Sequence, residues 1–427
     1  MSDDTIFALS TGGLPSAIAV LRMSGPQAGE TVSTLAGALP APRTASLRLL
    51  RDPGTGDPID RALVLWFPGP ETATGEDVAE FHIHGSRAVA ARLRETLGAM
   101  AGLRAAEAGE FTRRAFLNGR MDLAAAEGLG DLLEAETEAQ RRHALRVAEG
   151  GLGAKIGEWR DRLLGAEARL EAVLNFSDEG DVDEGDERFA LELAESVQCE
   201  MQDMLDAPPA ERLRDGVRVV LAGPPNVGKS TLFNALVARE AAIVSPTAGT
   251  TRDVIEAPVD MAGIPMVLCD TAGLRLAGDD IEEEGVRRAR DLLNRADIVL
   301  WLGAAGEAPQ HDRVIELAAK ADIDSAERDE GVLVLSAVSG VGMAALRDEL
   351  VLMARNLLPG DGEYALNARH RDIVREAAVI LTQAESGDWI LLSETLRQAR
   401  RVLDRLTGES GVEDMLDALF GRFCIGK

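Results

Sequence analysis

Apolar and polar positions change rhythm several times along the chain, and the changes mark out its parts. From residue 1 to about 119, short β-like runs such as AIAVLRMSG and RALVLWFPG alternate with Gly/Pro turns and a helix-like stretch, VAARLRETLGAM. That mixture predicts an α+β domain over 1–119. From 120 to 214 apolar residues recur every three or four positions, as at Leu129, Leu132 and Leu133 and again at Leu163, Leu164, Leu170, Val173 and Leu174. This spacing predicts helices, interrupted by the acidic stretch SDEGDVDEGDE. The run VRVVLAG then opens a region, 215–360, where apolar strands alternate with helical stretches, the pattern of a parallel α/β sheet. Over 361–427 the helical spacing resumes with Ile373, Val379, Ile380, Leu381, Leu392, Leu396, Val402, Leu403 and Leu406. Neither helical block alone has an obvious partner for its apolar face. The α/β domain is therefore expected to be inserted into a helical domain whose halves pack together, and the fold class is multidomain α/β plus α.

The start of the α/β region carries the clearest chemistry. Between the strand VRVVLAG and the helical run KSTLFNALV stands Gly223-Pro224-Pro225-Asn226-Val227-Gly228-Lys229-Ser230, the pattern G-x-x-x-x-G-K-S. Gly223 and Gly228 let the backbone wrap a phosphate, and the loop amides and the helix N-terminus, through Thr231, attract the anion. Lys229 reaches the terminal phosphates and Ser230 offers a hydroxyl to Mg²⁺. A phosphate cradle does not tell GTP from ATP. That question passes to Asp270-Thr271-Ala272-Gly273, a D-x-x-G at the end of the strand MVLC. An Asp there can hold Mg²⁺ through water, and the Gly amide can sense the γ-phosphate.

Between the two lies Gly249-Thr250-Thr251-Arg252-Asp253, a hydroxyl-rich loop in the position of a first switch, with Thr251 the candidate to complete Mg²⁺ coordination. Base selection requires an N-K-x-D element, which here reads Ala319-Lys320-Ala321-Asp322. The Asn is missing. Losing one neutral hydrogen bond costs about 0.5–1.5 kcal/mol, up to about tenfold in affinity, so Asp322 can still select guanine with weaker binding. Ser336-Ala337, after the strand VLVL, matches a loop that also touches guanine. The expected activity is GTP hydrolysis.

Composition narrows the setting. At 427 residues the chain exceeds one hydrophobic core and suggests two to four domains. Hydrophobic residues at 46% and charged residues at 27% are ordinary for a globular protein, and no apolar run is long enough to cross a bilayer. The start MSDDTIFALS has neither a basic head nor an apolar signal core, so a cytoplasmic protein is expected. Cys199, Cys269 and Cys424 are too scattered for a disulfide framework or a zinc ribbon. A net charge of −27 repels nucleic acid unless Lys and Arg are gathered in one place, so any RNA contact must be local or made by a partner.

Beyond generic GTPase motifs, the chain carries L-R-x-S-G at Leu21 to Gly25, WFPGP at Trp66 to Pro70 and TGEDVAE at Thr74 to Glu80. It also carries GEFT-x-RAFLNG-x-MDLA-x-AE ending at Glu127, GTTRD, DTAGLR and the terminal Phe423-Cys424-Ile425-Gly426-Lys427. With these it resembles, from end to end, the MnmE (TrmE) family of tRNA-modification GTPases. The resemblance implies an N-terminal folate-binding and dimerising domain, a helical domain made from the middle and the C-terminus, and an inserted G domain. It implies a homodimer working with an FAD-containing partner of the MnmG (GidA) type on the C5 position of the wobble uridine of certain tRNAs, with a tetrahydrofolate as one-carbon donor.

Residue by residue, the resemblance makes Asn226 a K⁺ ligand, in the electrostatic role of an arginine finger. It places further K⁺ ligands around Ser245, Thr247 and Thr250. It makes Glu282 the acid that orients the hydrolytic water, although by sequence alone Glu282 belongs to a solvated cluster with Glu283 and Glu284. For folate it points to Arg22, Glu80, Arg120 and Lys427, with Arg120 where the family commonly has Lys. Cys424 is open between modification chemistry and packing beside Phe423 and Ile425. His82 and His84, alternating in FHIHG, read as structural, since no third metal ligand is evident.

Two departures stand out. The Asn of the guanine element is absent, and only seventeen residues separate Leu302 from Lys320, so the G domain is expected to be trimmed there. Two other readings remain: a regulatory GTPase of ribosome assembly, which requires a basic RNA-binding module that the sequence does not display, and a folate-dependent transferase with a vestigial G domain.

Overall fold

The computed structural model describes residues 4–176, 184–242, 255–271, 290–322, 331–360, 362–385, 387–409, 416, 419–421, 423 and 425–426. The chain forms two compact units, one of Met1–Gly130 with Asp404–Lys427, the other of Asp131–Leu403.

In the first unit, the described strands β1 (Thr5–Leu9), β2 (Ile18–Ser24), β3 (Ser46–Arg51), β4 (Pro58–Phe67), β5 (Val78–His84) and β6 (Leu103–Ala105) form a sheet of order β3-β4-β5-β2-β1-β6. Only the β1–β6 pair is parallel. Along β5 the pattern alternates, so Phe81 and Ile83 are buried with Ala79 while Glu80, His82 and His84 lie on the other face. Helices α1 (Ala28–Ala36) and α2 (Arg87–Gly98) supply Val32, Leu35, Leu93 and Leu97 to the core on that apolar side. After α3 (Glu110–Leu117), the start of α4 (Leu123–Glu134) packs Leu123 and Ala126 against Leu416, Phe420 and Phe423. Ala108 bridges Ile425, and Ser10 donates to the carbonyl of Gly426 at 3.0 Å. Both ends of the chain thus build this unit.

The second unit opens with α5 (Glu138–Ala148), α6 (Gly151–Phe176), α7 (Glu184–Asp206) and the short α8 (Glu211–Asp215). Its sheet comprises β7 (Val217–Ala222), β8 (Ala241–Ala242), β9 (Ile255–Met261), β10 (Ile264–Asp270), β11 (Ile298–Trp301), β12 (Val314–Ala318) and β13 (Leu333–Val334), in the order β13-β12-β11-β7-β10-β9-β8. β7 runs parallel to both neighbours and is buried on both faces, which explains its unbroken apolar run. Helices α9 (Lys229–Arg239) and α10 (Met343–Arg355) add Leu232, Leu236, Leu346 and Leu350 to the core.

Beyond the sheet come α11 (Ala368–Leu381) and α12 (Trp389–Thr407). Arg397 of α12 donates to buried Glu167 of α6 at 2.7 Å, and Arg371 of α11 reaches the carbonyl of Leu205 at the end of α7 at 2.6 Å. The early and late helices therefore pack together around the sheet in sequence.

The short stretch before Lys320 keeps a strand but no helix: residues 302–313 cross from β11 to its parallel neighbour β12 as turns. His311 fastens this crossover, its two ring nitrogens lying 3.0 Å from the carbonyls of Ala296 and Arg313.

Candidate nucleotide site and N-terminal polar cluster

The end of β7, in the middle of the sheet, delivers the chain into the loop 223–228 and then into α9. Gly223 has φ +142, and a Cβ there would lie 3.0 Å from the backbone carbonyl carbon of Leu302, so only glycine lets the two strand ends pass. Gly228, at φ +112, caps α9. Asn226 also takes a positive φ, +62, which Asn tolerates better than most residues. The ammonium of Lys229, buried at 7% exposure, donates to the carbonyls of Gly223 at 2.8 Å and Pro224 at 2.7 Å. It therefore sits across the mouth of the loop rather than out in solvent.

β10 lies beside β7 with Asp270 in register with Leu221. This brings Asp270, 1% exposed, to the start of α9, where the Ser230 hydroxyl donates to its Oδ2 at 2.7 Å. Thr271 ties the same corner by donating to the carbonyl of Leu221 at 2.8 Å. A hydroxyl and a carboxylate side by side are hard oxygen donors of the kind Mg²⁺ takes, its other positions being filled by phosphate oxygens and water. The pair fits such an ion.

The guanine element meets the cradle from the next strands. Lys320, at φ +65, donates to the backbone carbonyl of Asn226 at 2.8 Å. Ser336 donates to Oδ1 of Asp322 at 2.6 Å and receives the amide of Ser339 at 3.1 Å. That hydrogen bond, with one from its own backbone, holds the Asp322 carboxyl below its ordinary value. Between these groups lies a cavity of about 140 Å³ that Gly228, Thr231, Lys320, Asp322, Ser336 and Ala337 all line. Leu232, Leu335 and Val338 line it too. Leu232 and Leu335 are core residues by spacing and burial, Val338 is an exposed turn residue, and the one signal for all three is their adjacency to Thr231 and Ser336-Ala337.

Of the folate candidates, Arg22 and Glu80 are directly opposite on antiparallel β2 and β5. Arg22 Nη2 donates to Glu80 Oε1 at 2.8 Å, and His82 Nε2 lies 3.1 Å from Glu80 Oε2. Burial pushes the Glu80 carboxyl up, but the hydrogen bonds from His82 and Arg22 outweigh it and hold the group below its ordinary value. His82 is thus part of this cluster, a placement that follows from the two-residue strand period shared with Glu80. Arg120 makes its ion pair with Glu71 at 3.3 Å. Ser245, Thr247, Thr250, Thr251, Ala272, Gly273, Glu282, Cys424 and Lys427 lie outside the described residues.

Residues 5–120 match the family described as the GTP-binding protein TrmE N-terminus, and residues 123–424 match the MnmE helical domain, a span that runs on both sides of the sheet around the cradle. The tRNA modification GTPase MnmE of Novosphingobium aromaticivorans is 53% identical over 99% of this chain and 100% of its own. The chain belongs to the MnmE family. The MnmE of Erythrobacter litoralis is 55% identical, again over 99% of this chain and 100% of its own. Among solved structures, the G domain of the T. maritima FeoB iron transporter is similar at 27% identity over 32% of this chain and 98% of that one, with a TM-score of 0.24. As a family member the chain is a GTP hydrolase of tRNA modification, and its nucleotide is GTP.

Proposed function

We propose that this chain is a K⁺-dependent GTPase that works, with an FAD-containing partner, on C5 of the wobble uridine of tRNA, taking a one-carbon unit from a tetrahydrofolate. The observation that carries the K⁺ part is Asn226 at positive φ on the cradle, its backbone held by Lys320. In this reading Lys229 turns its ammonium from the loop carbonyls to the β- and γ-phosphate oxygens. Ser230 and Thr251 would hold Mg²⁺, with Asp270 reaching it through water, while Asn226 with Ser245, Thr247 and Thr250 would hold K⁺. Held by these residues, the two cations would supply positive charge against that growing between the β- and γ-phosphates. Glu282 orients the attacking water, and the Ala272 and Gly273 amides follow the γ-phosphate. Asp322 accepts from N1 and N2 of guanine, with Ser336-Ala337 beside it.

The N-terminal domain, 1–119, binds the folate and dimerises. Arg22, Glu80, Arg120 and Lys427 bind it, Glu80 pairing with the donors of the pterin edge while Arg22 and His82 hold its carboxylate, and a basic group meeting the glutamate tail. Cys424, in the same tail, is a candidate for the modification chemistry. The segments 120–214 and 361–427 form the helical domain around the G domain, 215–360. The protein acts in the cytoplasm as a homodimer. Among the described residues no helix is long and apolar enough to cross a membrane.

GTP turnover measured in K⁺ against Na⁺ tests the catalytic half. K⁺ is expected to accelerate it strongly, and Asn226→Ala to abolish that acceleration; equal rates in the two salts, or an unaffected variant, would remove the mechanism.

A further inference from the structure

A cavity of about 420 Å³ lies in the second unit between α5, the tight turn joining β9 to β10, and the end of α10. A Thr137/Gln140 capping box starts α5, and the amide of Ala139 donates to the carbonyl of Gly263 in the turn at 2.9 Å, which fixes the helix to the hairpin. Glu138, Arg142, His143 and Arg146, spaced three and four apart, share the face of α5 that lines the cavity. Arg355, the last residue of α10, comes from another wall.

The carboxylate in this lining is already taken. Arg141 and Arg142 both donate to Glu138 at 2.8 Å. Among the described residues neither Arg146 nor Arg355 has a carboxylate partner, and Nε of Arg146 is buried without a hydrogen bond. His143, 8% exposed, has a buried Nδ1 in the same condition. Burial, with Arg146 and His370 nearby, pushes its pKa down to about 4, so the ring is neutral at physiological pH and offers one N–H. Buried donors without acceptors are costly, and a ligand rich in acceptor oxygens would relieve them. Guanidinium forks match the geometry of phosphate oxygens.

We propose that this cavity holds the phosphate backbone of tRNA, with Arg146 and Arg355 as its guanidinium contacts and His143 as a further donor. The assignment rests on the tRNA-modification activity of the family. Cations on more than one wall of an open cavity suit a strand of phosphates passing between them, and the pocket gathers positive charge in a chain whose net charge is −27.

The test uses the full chain with GDP and Mg²⁺ saturating the cradle, so that phosphate cannot bind there. Anisotropy of labelled tRNA is followed across a salt series for the wild type, for Arg146→Ala/Arg355→Ala, and for Arg355→Glu, which alters only an exposed helix end. GTP turnover without tRNA checks that each variant is folded and is expected to be unchanged. We expect both variants to lose about tenfold or more in affinity, and the double variant's log–log salt slope to fall by about 2. Wild-type affinity and slope in both variants would overturn the pocket while leaving the tRNA activity standing. If that result came with stabilisation by inorganic phosphate that the double variant lacks, the pocket would be a free-anion site and the RNA assignment would again fall. A wild-type chain that binds no tRNA would overturn the proposal together with any direct RNA contact by this chain.

Discussion

Asp322 shows how much one side chain can carry when its neighbours prepare it. Ser336 donates to Oδ1 at 2.6 Å and holds the carboxyl below its ordinary value, and in the proposed site Oδ2 is left for the base. Charge-assisted hydrogen bonds contribute about 1.5–3 kcal/mol. Asp322→Asn should therefore weaken GTP binding about 10- to 100-fold and, by exchanging an acceptor for a donor, improve binding of xanthosine triphosphate; competition titrations of the two nucleotides would check it. His143 makes a second prediction at this scale. Its pKa is about 4 in the folded chain and about 6.5 when exposed, so the unfolded chain takes the proton first. Its contribution is complete above about pH 6.5 and is lost as pH falls towards 4. His143→Gln should flatten the melting temperature between those values, measured without phosphate; an unchanged slope would show that another group titrates there.

At the scale of elements, the cradle, its flanking strand and helix, and the partner strand ending at Asp270 were legible in the sequence. A backbone that must turn at positive φ beside a strand end admits Gly223 and Gly228 and little else, and such a need leaves a fixed pattern. The apolar lining of the proposed guanine cavity was not legible, because Leu232 and Leu335 are core residues by burial and spacing and Val338 is an exposed turn residue with no pattern of its own. The Arg22–Glu80–His82 cluster depends on cross-strand register between residues 58 apart, and the cavity beside α5 on segments farther apart still. The expected trimming before Lys320 is seen as the loss of a helix while β12 is kept.

The seating of the C-terminal segment can be tested here as well. Gly109 has φ +67, and a Cβ on it would lie 2.3 Å from the carbonyl oxygen of Phe420. Gly119 has φ +66 with nothing within 4 Å. Both alanine substitutions incur the backbone penalty of about 1 kcal/mol, but only Gly109→Ala also displaces the tail. Gly109→Ala should melt several degrees below Gly119→Ala, at about 2–4 °C per kcal/mol. Equal melting would mean that the tail is not held at Phe420.

For the whole molecule, both ends of the chain enter one unit, while the GTPase sheet and the helices on either side of it in sequence form the other. The proposed folate residues include Arg22 and Lys427, from the two extremes of the chain, so the first unit's composition suits a site that needs both. The strongly acidic charge repels RNA over most of the surface and makes a local basic contact, or a partner, the means of holding tRNA. In the proposed function, GTP turnover at the cradle is joined to a chemical change on an RNA base.

Mass analysis of wobble uridine from cells lacking this protein, complemented with the wild-type chain or with Asn226→Ala, tests that junction most directly. The account predicts that the modification at C5 is missing without the protein, returns with the wild type and does not return with Asn226→Ala. Fully modified uridine in cells without the protein, or full rescue by Asn226→Ala, would contradict it.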